Sequence, residues 1–170
     1  MKPLLLLDVD GVLNPMGGPT PDFRRYRCTV DNEVYTVHLN PRHGRRLLDL
    51  ALLTGSELVW ATTWEHHANE WIAPRIGLPS LPVIPMSPDT APPSEHGEMF
   101  KTPHVAEYVG RRPFVWFDDQ VWAEDEEYLR VRQGLGDFLL VHVDPRQGLT
   151  SRHLGMAHEW LTLTGFSQGP

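Results

Sequence analysis

The sequence predicts an α/β fold, a parallel sheet covered by helices on both faces. Short apolar runs recur along the chain with helical patterns between them, the alternation that builds such sheets. Two of these runs close on paired acids, Asp8 with Asp10 and Asp118 with Asp119. In open α/β sheets ligands bind beyond the C-terminal ends of the strands, so both pairs fall where a site is expected.

The elements follow in order. "LLLLDVDGVLN" gives a first strand over Leu4 to Val9, a short apolar run bounded by a glycine. "YRCTV-DN-EVYTVHL" alternates and turns at Asp31-Asn32, which predicts a β-hairpin over about 23–39. Asn40 and Pro41 predict the start of a helix that Gly55 stops. "ELVWAT", Glu57 to Thr62, is the second strand. Thr62 and Glu65 have capping-box spacing ahead of "HHANEWIA". A weaker third strand is "LPVIPM", Leu81 to Met86. Thr102 and Pro103 start a helix that Gly110 ends, and "PFVWFDD", Pro113 to Asp119, is the fourth strand. Asp119 is placed to cap "QVWAEDEEYLRVRQ". "DFLLVHVD", Asp137 to Asp144, is the fifth strand, and Thr150 or Ser151 caps a last helix running to about Gly165. The proline-rich stretches "NPMGGPTP" and "MSPDTAPPSEHG" read as surface loops, and no repeat or domain boundary interrupts the 170 residues.

Composition removes several function classes. A net charge of −7 argues against general attraction to nucleic acid phosphate. A single cysteine, Cys28, allows neither an internal disulfide nor a thiolate zinc cluster. The start "MKPLLLLDVD" is too short in apolar residues for a secretory signal, and no run has the length to span a bilayer. A cytoplasmic protein without membrane partners is expected.

A core strand ending in two acids demands a reason, because an unpaired buried charge is costly. Strands one, two and four end in Asp8 and Asp10, in Thr62 and Thr63, and in Asp118 and Asp119. Acids converging on one rim raise each other's pKa. A hard divalent cation relieves that conflict, and oxygen-only ligands suit Mg²⁺. Lys101, at the start of the helix feeding strand four, brings positive charge to the same rim.

On these residues the sequence resembles the haloacid dehalogenase superfamily. Asp8-Val9-Asp10-Gly11-Val12-Leu13-Asn14 is similar to its first motif, Thr62 after "LVWA" to its second, Lys101 to its third and Phe117-Asp118-Asp119 to its fourth. The resemblance implies a Rossmann-like three-layer sandwich with five parallel strands in the order 5-4-1-2-3. It also implies a phosphatase chemistry. Asp8 would attack phosphorus and form an aspartyl-phosphate. Asp10 would protonate the leaving oxygen and later deprotonate the hydrolytic water. Thr62 would hydrogen-bond a phosphoryl oxygen, and Lys101 would neutralise charge. Mg²⁺ would be held by Asp8, the backbone carbonyl of Asp10 and Asp118, with Asp119 binding through water or orienting Lys101. The acid at Asp10 favours phosphoester hydrolysis over dehalogenation, because a halide leaves without a proton. A phosphotransferase of the same chemistry, or a silent module that binds a phosphorylated ligand, are the alternatives.

Several residues carry two readings. Thr62 caps a helix, faces the site, or does both. Asp119 is a ligand or only a helix cap. "TWEHH" borders the pocket rather than ligating a metal, with Thr63 and Trp64 placed to touch substrate. Arg24, Arg25 and Arg27 on the hairpin are either a clamp for a phosphate-rich ligand or a solvated edge that discourages strand pairing. Superfamily members often carry a separate cap domain. The gaps after strands one and three hold only the hairpin and a short loop, so a capless single domain over 1–170 with an enlarged flap is expected. An open site suits large substrates, or small ones if a homodimer supplies the lid. Among capless relatives, "WATTWEHHANEW" and "FDD" look similar to small bacterial domains associated with RNA repair, which points to a nucleotide or nucleic acid end.

Overall fold

Four apolar runs form one parallel sheet. A computed structural model of the protein describes residues 1–18, 20–87, 92–94 and 97–165. The strands are β1 Leu4–Leu7, the hairpin pair β2 Arg24–Val30 and β3 Glu33–Leu39, β4 Glu57–Trp60, β5 Phe114–Asp118 and β6 Phe138–His142. The helices are α1 His43–Thr54, α2 Ala73–Ile76, α3 Lys101–Val109, α4 Ala123–Arg130 and α5 Ser151–Leu163. A π-helical turn over Ala68–Ile72 leads into α2. The sheet order is β4-β1-β5-β6, and β2 and β3 form a separate antiparallel pair. No helix among the described residues is long and apolar enough to cross a membrane.

The central position of β1 explains its four leucines. Alternate side chains of a strand face opposite ways, and both faces here are covered. Leu5 and Leu7 join Leu47 and Leu50 of α1, Ala157 and Leu161 of α5, and Cys28, Val37 and Leu39 of the hairpin. Leu4 and Leu6 join Val105, Ala106 and Val109 of α3 and Leu129 of α4. Helices on both faces of a parallel sheet make the three-layer, Rossmann-like arrangement. Trp60 and Trp116 are fully buried in it.

The expected third strand does not form. Leu81 to Met86 meets the sheet through one parallel bridge, Trp60 with Val83. Trp60 donates its N–H to the Pro82 carbonyl and Ile84 donates to the Trp60 carbonyl. Pro82 and Pro85 have no N–H to extend the ladder. The five-strand order 5-4-1-2-3 is therefore not matched; the four strands present follow its first four places. A side chain replaces the missing pairing. Asn69 Oδ1 accepts both the Trp60 indole N–H and the Leu81 N–H at 2.8 Å, and its Nδ2 donates to the Leu81 carbonyl at 2.8 Å.

Helix starts differ from expectation where side chains found other partners. Asn40 accepts the Arg42 N–H in a turn, so α1 begins at His43, with Gly55 closing it at φ 64. Glu65 makes no capping box with Thr62; its Oε1 accepts the Met86 N–H instead. α3 begins at Lys101, one residue before Thr102, whose hydroxyl binds Asp125. Asp119 does not cap α4. Asp125 does, accepting the Trp122 N–H at 2.9 Å. Thr150 caps α5 as expected. In the proline-rich loops, residues 19, 88–91 and 95–96 lie outside the described residues.

Asn69→Ala strips partners from the Trp60 indole and from both backbone groups of Leu81. The expected cost is about 2–3 kcal/mol, the scale of leaving buried polar groups unpaired. Urea unfolding read by tryptophan fluorescence measures it.

Candidate active site

Strand register brings the sequence-distant acids together. Leu7 is level with Trp60 of β4 and Phe117 of β5. Asp8 donates its N–H to the Phe117 carbonyl, and Ala61 donates to the Leu7 carbonyl. Asp8 and Asp118 stand one residue beyond this level and Thr62 two residues beyond Trp60, so all three lie at the ends of three adjacent strands. One carboxylate oxygen each from Asp8, Asp118 and Asp119 lies within 4.8 Å of the others. All three residues are buried, Asp118 completely.

Lys101 sits between two of them. Its ammonium donates to Asp8 Oδ2 at 2.6 Å and to Asp118 Oδ2 at 2.8 Å, with the lysine 5% exposed. The remaining carboxylate oxygens have backbone donors: Val9 N–H to Asp8 Oδ1 at 2.7 Å and Gln120 N–H to Asp118 Oδ1 at 2.9 Å. Burial and the charge of Asp118 raise the Asp8 pKa to about 7 despite Lys101. Burial likewise raises Asp118 against the pull of Lys101, and burial with the Asp8 charge raises Asp119. Burial opposes the charge on Lys101, but Asp8 and Asp118 outweigh it and hold the ammonium above its usual range.

These residues fit a hard divalent cation. Three buried carboxyl groups outnumber the one ammonium among them, and the donors are oxygens alone, which suits Mg²⁺. Gly11 makes the close approach possible. It turns the chain at φ 75, and a Cβ there would lie 2.4 Å from Asp119 Cγ.

Asp10 stands apart from this cluster. Its Oδ1 accepts from Asn14 Nδ2 and its Oδ2 from the Trp64 indole N–H, each at 2.8 Å. Asn14 Oδ1 in turn accepts the His38 N–H of β3 at 2.8 Å, tying the hairpin to the turn after β1. Tyr35 of β3 meets the Trp64 ring edge-on at 5.9 Å. Thr62 is fully buried and its hydroxyl accepts the Trp64 N–H at 3.3 Å, while Thr63 is exposed.

The hairpin arginines do not join this group. Opposed pairs in the hairpin set Arg25 and Arg27 on the face away from Cys28 and Val37. Arg24 lines a separate depression with Asp22, Asn40 and Arg42. The hairpin instead brings Val30, Asp31 and Tyr35 to a cleft beside Asp10. Asn14 and Tyr35 take positions at the site for which the sequence motifs give them no role. The two-residue alternation that puts Cys28 and Val37 inward would have placed Tyr35 with them.

The raised carboxyl makes a pH prediction. The fold lifts the Asp8 pKa from 3.8 to about 7, so the folded chain holds a proton that the unfolded chain releases. Metal-free stability attributable to Asp8 therefore falls as pH climbs through that window. Relative to Asp8→Asn, the wild type should melt progressively lower between about pH 5 and about pH 7.5. Mg²⁺ should close the gap at the upper pH. Scanning calorimetry of both proteins, with and without Mg²⁺, checks it.

No curated protein and no solved structure matches the chain significantly. A family model does, over residues 4–154, and its description is HAD domain in Swiss Army Knife RNA repair proteins. That match runs from the first strand into the last helix and takes in every group of the buried cluster. HAD domains typically use Mg²⁺ and belong to a family of phosphohydrolases and phosphotransferases. The chain belongs to the family of HAD domains found in Swiss Army Knife RNA repair proteins.

Proposed function

We infer that the protein is a Mg²⁺-dependent phosphomonoester hydrolase acting through an aspartyl-phosphate on Asp8, on a nucleotide or a nucleic acid end. The observation that supports this is the buried trio of Asp8, Asp118 and Lys101, beside an Asp10 carboxylate with its own partners in Asn14 and Trp64. Asp8, Asp118 and the Asp10 carbonyl would hold the ion, and Asp119 would support it. Mg²⁺ supplies charge neutralisation for the incoming phosphoryl group.

In the first step a carboxylate oxygen of Asp8 bonds to phosphorus as the ester P–O bond breaks. Asp10 gives its proton to the departing oxygen. In the second step Asp10 takes a proton from water, the water oxygen bonds to phosphorus, and the acyl-phosphate bond breaks. The products are an alcohol and inorganic phosphate, and both aspartates return to their starting forms. Lys101 stabilises charge on Asp8 and on the transferring group, and Thr62 donates its hydroxyl to a phosphoryl oxygen. The pairing of Asp10 with Asn14 and Trp64 supports its role, because both partners fix where its carboxyl points.

Asp8→Asn should lower kcat/KM for phosphate release by about a thousandfold or more, the scale seen when a nucleophile is removed. Release by the wild type should require Mg²⁺, and normal turnover by the variant would overturn the assignment. Trp64→Phe keeps the ring against Tyr35 but removes the donor to Asp10. Its kcat should fall about tenfold on alkyl phosphates, which need a proton on the leaving oxygen, and much less on p-nitrophenyl phosphate. Steady-state kinetics on both substrates separates the two.

A further inference from the structure

The cleft beside Asp10 has a volume of about 410 Å³ and opens between the hairpin and the segment after β4. If Asp10 protonates the leaving oxygen, the leaving group lies on the side of the site that Asp10 faces. This cleft is that side, since Asp10 is part of its wall. Its size suits a small organic group.

Its walls specify a chemistry. Tyr35 and Trp64 both line it, with ring centroids 5.9 Å apart and planes at 62°. Tyr35 is 42% exposed, and the Trp64 ring is anchored by its bond to Asp10. Two ordered aromatic walls favour a flat, aromatic guest at low entropic cost. The polar lining is acidic. Asp31 stands at the hairpin turn, and Glu65 is fixed by accepting the Met86 N–H at 2.8 Å. No lysine or arginine is among the described residues lining the cleft, and His67, which does line it, is bonded to Glu70. The exposed arginines of the hairpin point the other way or line a different depression.

We propose that this cleft is the leaving-group site and that it selects a singly phosphorylated molecule with a flat, uncharged or cationic remainder, such as a mononucleoside phosphate, over a polyanion. The proposal rests on the phosphatase reading for the position of the leaving group. Carboxylates at Asp31 and Glu65 accept hydrogen bonds from hydroxyl or amino groups of such a guest. A second phosphate in the same place meets like charge with no compensating cation.

The test uses three phosphates of one shape: phenyl phosphate, 4-carboxyphenyl phosphate and 4-(aminomethyl)phenyl phosphate. kcat/KM is measured with Mg²⁺ on the wild type, and Kd is measured by calorimetry on Asp8→Asn. Both should rank cation over neutral over anion, with about tenfold between the extremes at low salt. The spread should shrink in about 0.5 M NaCl and fall several-fold in the double variant Asp31→Asn, Glu65→Gln, which keeps an acceptor for Met86. A mononucleotide should also outperform an oligonucleotide bearing the same terminal phosphate. Equal or reversed ranking, a spread indifferent to the double variant, or preference for the oligonucleotide overturns the proposal. Absence of turnover with any substrate ends the phosphatase reading instead, and the Kd ranking then decides the cleft by itself.

Discussion

The ammonium of Lys101, shared between Asp8 and Asp118, is the contact on which the site depends. It joins the first residue after β1 to the last residue of β5 through the first residue of α3. Without it, two carboxylates would face each other in a place with almost no water, which a protein tolerates only by protonating one. With it, the acids still outnumber the lysine, and burial first, with neighbouring carboxylates behind it, holds Asp8, Asp118 and Asp119 above their usual range. A dication would find its electrostatic partner already assembled, with the ordering cost met when the sheet folded.

The second feature is the separation of Asp10 from that cluster. Two residues apart on an extended strand, Asp8 and Asp10 would face the same way. The chain turns at Gly11, and the Asp10 carboxylate accepts from Asn14 and Trp64 rather than from Lys101. One acid is thus surrounded by carboxylates and an ammonium, the other by neutral donors. Through Asn14, the hairpin is attached to the same turn. The strand that carries Tyr35 is thereby tied to the turn that carries Asp10.

Much of this was legible in the sequence because it is carried by local patterns. The apolar runs before Asp8, Thr62 and Asp118 announce buried strands, and parallel order aligns their ends. Gly55, Gly110 and Thr150 mark helix boundaries that the structure keeps. What was illegible rests on side chains reaching across the chain. Asn69 substitutes for strand pairing from a distance of twelve residues, and no periodicity reveals that. The prolines at 82 and 85 were the available sign that Leu81 to Met86 would not form a ladder. The α4 start expected at Asp119 falls at Trp122, whose N–H is held by Asp125 from within the first turn, while Asp119 belongs to the acid cluster. The arginines of the hairpin attract attention by charge, but strand alternation turns Arg25 and Arg27 away and Arg24 lines a separate depression.

The most direct measurement is diffraction from a crystal soaked in Mn²⁺, whose anomalous signal marks a divalent ion in place of Mg²⁺. One strong peak is expected in direct coordination distance of the Asp8 and Asp118 carboxylates, close to Asp119. A peak elsewhere, with those oxygens still occupied only by Lys101 and backbone donors, would contradict it.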